Sequence, residues 1–391
     1  MTARGRCPVW GAVLAAVVLA AVPALAQPSG VTDAEIVLGA STALSGPLAF
    51  PGEQLTRYGV DLYFREVNAQ GGIHGRTVRT IYRDDGSRPE DALANTRALV
   101  EQDGVLAVIA PQGTAPVAAT LEYLEARRVP LLFPFQGAAI TRGRAWVFSG
   151  MTLYDRQSRL MVDHLAGTRK ARTYAALYQD DEYGRTFLGL LRQDLARHRL
   201  ALDAAEPVKR GVADLSAPMA RLRAAKPEVV FVVLTPGPAS QALKERQKIG
   251  WADVLLVATG PLTDERYLAL AGEAAEGVEG LSLWPDALTS TLPGVVAHRA
   301  AMQKHFGKNE PNRYSLSGYF AAMLFTEAAR RAGRALTRES LVAALESVKD
   351  WDSGILPPVT IGPDHETQKH GLWIRMERGQ FRPLTGWLPS G

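Results

Sequence analysis

Two stretches of the chain carry residue types that can hold a small polar molecule without transforming it. Pro111-Gln112-Gly113-Thr114-Ala115-Pro116 combines a glycine that lets backbone approach closely, a hydroxyl at a helix-opening position, and the unpaired N–H groups of the helix expected to follow. That set suits a small anion such as a carboxylate, and an ordinary capped helix would be written the same way. Pro134-Phe135-Gln136-Gly137-Ala138-Ala139 repeats the chemistry, and two such loops at neighbouring strand ends strengthen the binding reading. Two more loops join them. Ser41 to Gly52 is longer and richer in turn residues than a compact domain retains without a use. Gln179-Asp180-Asp181-Glu182-Tyr183-Gly184 opens a helix and sets Tyr183 where it can face another lobe; its acids serve either the helix dipole or a ligand.

Signatures of bond-making chemistry are missing. The chain has no G-x-S-x-G, no G-x-G-x-x-G and no P-loop. His365 and His370 are five apart, whereas a zinc-protease helix needs four to put both rings on one face. Both read as surface residues. The other histidines, at 74, 164, 198, 298 and 305, form no cluster. No catalytic residue, metal site or cofactor is assigned, with paired carboxylates in a cleft the one catalytic device that spacing does not exclude.

The elements that must position these loops follow from hydrophobic periodicity. The 391 residues are 47% hydrophobic and 21% charged, a globular composition long enough for two domains or three. Strands are expected at Ile36 to Gly39, Thr77 to Tyr82, Val105 to Ala110, Val129 to Phe133, Ala171 to Leu177, Val229 to Leu234 and Val254 to Ala258. Helical spacing appears at Gln54 to Asn68, Glu90 to Glu101, Ala115 to Ala126, Gly184 to His198, Leu215 to Ala225 and Ala239 to Ile249. The alternation is α/β: two doubly wound parallel sheets, separated at Val147-Phe148-Ser149-Gly150. Ligands of such sheets bind beyond the carboxyl ends of the strands. The later part differs, with helices at Pro293 to Phe306, Tyr314 to Ala332 and Thr337 to Val348. Short strands at Val359 to Ile361, Gly371 to Arg375 and Phe381 to Leu384 then allow the tail to complete both lobes.

The first 26 residues read as a cleavable secretory signal peptide: Arg4 and Arg6, an apolar run from Val9 to Ala21, and a small-x-small end at Ala24-Leu25-Ala26. The run is well short of the roughly 20 residues that span a bilayer. Cys7, the only cysteine, lies before that run, so the processed chain has no thiol and no disulfide. A periplasm suits such a protein. The formal charge of +4 includes both leader arginines. The densest basic stretch, Arg330 to Arg338, has no interleaved aromatics, so a solvated face is preferred to nucleic-acid binding.

Taken together, Ile36-Val-Leu-Gly39, Leu44-Ser-Gly-Pro47, Val67-Asn-Ala-Gln-Gly-Gly-Ile73-His-Gly75, Asp84-Asp85, Tyr178-Gln-Asp-Asp-Glu-Tyr-Gly184 and Ala274-Ala-Glu-Gly277 resemble the periplasmic substrate-binding proteins of the branched-chain amino acid ABC transporter family. The resemblance spans essentially the whole processed chain. It implies a type I periplasmic binding protein fold: two Rossmann-like, doubly wound lobes joined by a three-crossover hinge. Lobe 1 is expected at 33–148 plus 284–355, and lobe 2 at 153–280 plus 356–391. The second and third crossovers are expected near Gly280 to Trp284 and Ile355 to Pro358. The family's ligand loops correspond to Gln112, Gly113 and Thr114 and to Gln136, Gly137 and Ala138, with Tyr183 covering the ligand from the other lobe.

One departure bears on the ligand. Amino-acid-binding relatives place an acid after the strand matching Val254 to Ala258, where this chain reads Thr259-Gly260-Pro261-Leu262. A buried ammonium without a carboxylate is costly, which leaves small carboxylates, amides, urea-like and aromatic compounds open beside amino acids. Phe50, Phe135, Trp284 and Tyr314 are the candidate walls, with Thr259 nearby. The expected function is a monomeric periplasmic binding component that delivers its ligand to an inner-membrane ABC permease. A ligand sensor for a signalling partner is the alternative, and an exported α/β enzyme the least favoured.

Overall fold

In the computed structural model, residues 1–2, 30–209, 211–212 and 214–390 are described; the proposed leader and Cys7 lie almost wholly outside them. The first lobe runs β1 (Glu35–Thr42), α1 (Ala49–Leu55), α2 (Asp61–Ala69), β2 (Thr77–Asp84), α3 (Pro89–Glu101), β3 (Val108–Ile109), α4 (Thr114–Ala126), β4 (Leu131–Leu132) and β5 (Val147–Phe148). Its strands are all parallel, in the order β2-β1-β3-β4-β5. The chain then enters α5 (Tyr154–Val162), β6 (Tyr174–Gln179), α6 (Glu182–Arg197), β7 (Leu202–Val208), α7 (Ser216–Ala224), β8 (Val229–Val233), α8 (Pro236–Lys248), β9 (Leu255–Ala258), α9 (Glu265–Ala271) and β10 (Glu279–Ser282). Three helices follow, α10 (Pro293–Phe306), α11 (Arg313–Ala332) and α12 (Arg338–Glu346), then the hairpin β11 (His370–Glu377) and β12 (Gln380–Pro389).

The second sheet has the order β12-β11-β10-β9-β8-β6-β7. Its parallel part repeats the order of the first, and the hairpin closes it antiparallel. In both sheets the first strand lies between the second and the third, so the strand order reverses there and opens a crevice at the carboxyl ends. The central strands are apolar throughout, as parallel strands covered on both faces must be: β8, Val-Val-Phe-Val-Val, is entirely buried.

Several boundaries differ from the expectation for identifiable reasons. Val147-Phe148 is itself an edge strand, too short to give a periodic signal. Leu202–Val208 is a half-exposed edge strand containing Pro207. Helix α5 buries Leu160, Met161 and Val162, all crowded at one end. Val359 makes only an isolated bridge to Trp351. His365, read as a surface residue, is buried and stacks flat on Phe148 at 4.2 Å.

Three segments cross between the lobes side by side. Thr367 Oγ1 donates to Ser149 O at 2.6 Å, Thr152 Oγ1 donates to His370 O at 2.7 Å, and Gln368 Nε2 donates to Leu283 O. The second crossing thus follows β10. The tail stays with the first lobe through Ile361, whose N–H donates to Val348 O at 3.0 Å, so the third crossing falls at Glu366 to His370 rather than Ile355 to Pro358. Glu366 is fully buried and accepts from Arg142 Nε at 2.5 Å and Arg156 Nε at 2.6 Å, one arginine from each side of the first crossing.

The first lobe is closed by α11 lying across the helix that runs from α1 through a wide π-turn at Thr56–Val60 into α2. The approach is backbone to backbone: a Cβ on Gly318 would stand 1.8 Å from Leu55 O, and one on Gly59 would stand 2.6 Å from Ser315 O. Gly318→Ala is therefore expected to lower unfolding stability by about 1–3 kcal/mol or more, read from urea denaturation. Gly167→Ala, where a Cβ meets nothing within 4 Å, should leave it unchanged.

In the same lobe His298 is completely buried, its ring edge-on to Tyr319 at 5.2 Å, with neither nitrogen hydrogen-bonded among the described residues. Burial pushes its pKa from 6.5 down to about 3. Between those values the unfolded chain binds a proton that the folded one refuses, so this group's contribution to stability falls as pH drops through about 6.5 and levels off near 3. Burial also raises the Asp61 carboxyl to about 6, which favours the folded state on acidification and opposes the histidine. Comparing His298→Leu with the parent separates the two effects. The variant should lose the acid-dependent decline across that window, measured as unfolding free energy against pH.

Candidate functional site

The carboxyl ends of both sheets border one cleft, and within it lies a cavity partly open to solvent. From the first lobe come Leu48 and Pro51, the loop Gln112-Gly113-Thr114, and Phe135; Met151 and Tyr154 line it from the first crossing. From the second lobe come Gln179, Asp181, Tyr183, Thr235, Pro236 and Pro261, and Tyr314 stands at the start of α11.

The loop after β3 is shaped by the backbone. Ala110 and Phe133, the residues just past β3 and β4, both hold left-handed φ values, 50° and 54°, a conformation that non-glycine residues seldom take. Each turns its strand sharply into its loop. Gly113 then sits at φ 95°, ψ 141° as N-cap of α4, open only to glycine. Its N–H donates to Phe135 O at 3.2 Å, and its carbonyl accepts from Val117 N at 3.1 Å. Pro116 has no N–H, so the helix opens with two amides lacking an intrahelical acceptor, those of Thr114 and Ala115. In the same loop the amide oxygen of Gln112 is buried and unpartnered among the described residues.

The walls are aromatic. Phe135 and Tyr314 lie 5.3 Å apart, and Tyr154 and Tyr183 lie 5.5 Å apart. Every phenol is tied back: Tyr154 to Thr114 Oγ1 at 3.2 Å, Tyr183 to Thr259 Oγ1 at 2.7 Å, and Tyr314 donating to Pro261 O at 3.2 Å. Burial pushes the Tyr154 and Tyr183 pKa values upward, so both are neutral at physiological pH. Across the cleft, Gln179 Oε1 accepts from Thr235 Oγ1 at 2.8 Å, while its amide nitrogen donates to Asp181, which caps α6 by accepting from Gly184 N at 3.2 Å. Asp181 carries the only formal charge among the lining residues.

The structure thus brings Gln112, Gly113, Thr114, Tyr183 and Tyr314 together on one cavity. It sets the other candidates behind or beside it. Gln136 is buried and accepts from Ala138 N at 2.7 Å, bracing its own loop. Gly137 gives room to the Tyr154 ring, which a Cβ would meet at 2.4 Å. Thr259 reaches the site only through Tyr183. Trp284 is buried against Phe320 at 5.4 Å, and the half-buried Phe50 does not line the cavity. Sequence reasoning passed over Met151, Tyr154, Gln179, Thr235 and Pro261 as contacts. Gln179 ends β6, and Thr235 and Pro261 follow β8 and β9, so all three were findable as strand-end residues; Met151 and Tyr154 belong to a crossing segment, which no pattern marks. Among the described residues no helix is long and apolar enough to cross a membrane.

Comparison with known proteins sets this geometry in context. A family model described as "Periplasmic binding protein" matches residues 35–379. The chain belongs to that family. A Pseudomonas aeruginosa protein named "Amino acid binding protein" is 26% identical over 82% of this chain and 86% of its own length. The crystal structure of a possible leucine/isoleucine/valine-binding protein from Rhodopirellula baltica superposes with a TM-score of 0.83 at 24% identity, covering 92% of this chain and 98% of the other. An R. palustris ABC transporter solute-binding protein in complex with benzoate gives a TM-score of 0.81 at 19% identity, covering 91% and 97%. The fold of this periplasmic binding protein is therefore shared by proteins with different ligands, and the lining residues must decide its own.

Two substitutions separate residues that serve a ligand from those that serve the fold. Gln112→Leu removes an unsatisfied buried acceptor and should leave thermal stability of the ligand-free protein equal or higher. Tyr183→Ala removes a ring packed on Tyr154 and Phe187 and its hydrogen bond with Thr259, so its melting temperature should fall. A drop for Gln112→Leu as large as that for Tyr183→Ala would make Gln112 structural.

Proposed function

We propose that this protein is the periplasmic solute-binding component of an ABC importer, taking one small molecule between its lobes and presenting it to an inner-membrane permease. The observation that carries the reading is the cavity itself, walled by strand-end loops of both lobes. The ligand has an apolar or aromatic body lying among Phe135, Tyr314, Tyr154 and Tyr183. A carboxylate or amide oxygen meets the amides of Thr114 and Ala115, where the positive end of the α4 dipole favours it. An N–H group of the ligand satisfies Gln112, and an ammonium, if there is one, faces Asp181 rather than the loop after β9.

Binding works by closure. Residues 33–148 plus 284–361 are taken as one body and 153–280 plus 371–391 as the other, with the third crossing at 366–370 between them. Contacts with both bodies favour the closed state, and only a ligand that touches both can shift the equilibrium. The test is a thermal-shift screen of amino acids, small carboxylates, amides and aromatic acids, followed by solution scattering with each hit. A true ligand raises the melting temperature and contracts the radius of gyration. A screen with no stabilising compound would remove the support for transport.

A further inference from the structure

Beyond the inner cavity the cleft continues into a second space, also partly open to solvent. The two adjoin across Leu48, Gln179 and Thr235, which line both. The outer walls include Pro47 and Ser87 from the first lobe, and Val212, Pro238, Lys244 and Leu270 from the second.

The first-lobe wall is pinned rather than slack. Gly86 and Ser87 hold successive left-handed conformations, φ 53° and 64°. Their N–H groups donate to Asp84 Oδ1 at 2.9 Å and Asp85 Oδ1 at 2.8 Å. Asp84 also accepts from Leu44 N at 2.8 Å and Ser45 N at 3.2 Å, tying the β1 loop to the β2 loop. One carboxylate thus holds each residue of this turn, Asp84 on Gly86 and Asp85 on Ser87. On the facing wall, Val212 and Leu270 are each left 39% exposed.

Charge separates the two chambers. The inner one carries Asp181 and no cation. The outer one carries Lys244, which is exposed and makes no ion pair among the described residues. An anion is thus better placed at the outer end than beside Asp181. Gln112, which lines the inner chamber, offers a buried unpartnered acceptor, and the first turn of α4 that begins at this wall offers the Thr114 and Ala115 amides, the acceptor and donor types that one amide group complements.

We propose that the ligand is an elongated carboxylate: an amide-bearing aromatic or branched head in the inner chamber, an apolar linker crossing between Leu48 and Thr235, and a terminal carboxylate at Lys244. This rests on the solute-binding reading above and assigns its substrate class.

Calorimetry with benzamide, N-benzoylglycine, N-benzoyl-6-aminohexanoate and the uncharged N-hexylbenzamide tests it. Affinity should rise at least tenfold from benzamide to N-benzoyl-6-aminohexanoate, with N-hexylbenzamide between them. Lys244→Glu should cancel the advantage of the carboxylate over N-hexylbenzamide, and Leu270→Trp, folding confirmed by thermal unfolding, should cancel the gain from chain length. Affinity that stays flat along the series, or a gain that survives Leu270→Trp, overturns the outer chamber. Failure of every benzamide to bind overturns this substrate class, while the broader screen judges the transport reading separately.

Discussion

The arrangement of the molecule depends on a buried carboxylate between two guanidinium groups. Glu366 has no solvent and must be neutralised where it stands. Arg142 approaches from the end of the first lobe and Arg156 from the first helix of the second, so the ion cluster holds the crossing segments in register. Remove both arginines and an uncompensated charge remains buried in the protein, which costs more than the cluster contributes.

The cleft inherits its chemistry from strand order. Each sheet reverses direction next to its first strand, and each reversal opens a crevice at the carboxyl ends. Because both sheets do this, the loops after β1, β3 and β4 face those after β6, β8 and β9 across one gap. Ala110 and Phe133 turn out of their strands in a conformation that costs energy, and the surrounding core holds them there. The donors at the start of α4 are thereby fixed before any guest arrives, which reduces the entropy lost on binding.

Much of this was legible in the amino-acid order. The α/β alternation, the two doubly wound lobes and the loop Gln112-Gly113-Thr114 follow from periodicity and from the positions of glycine and hydroxyl residues at strand ends. Tyr183 follows from its place at the opening of a helix. What stayed hidden is tertiary in origin. Val147-Phe148 is a strand because Leu131 and Leu132 lie beside it, not because two residues can show a period. His365 is buried because the third crossing folds it onto Phe148. Gln136 and Trp284 have the right chemistry for a ligand but are turned inward, one bracing its loop and the other filling the core. Met151 and Tyr154 reach the cavity only because the chain changes lobes there.

Pro116 has a consequence for which guests are refused. With its ring at the third position of α4, the helix mouth offers two hydrogens where an unbroken helix start offers three. Two suit the flat end of an acyl group. A tetrahedral oxyanion such as phosphate or sulfate would bring more oxygens than this helix end has hydrogens to meet, so the omission of a single amide makes the mouth a poorer match for inorganic oxyanions than for a planar acyl group.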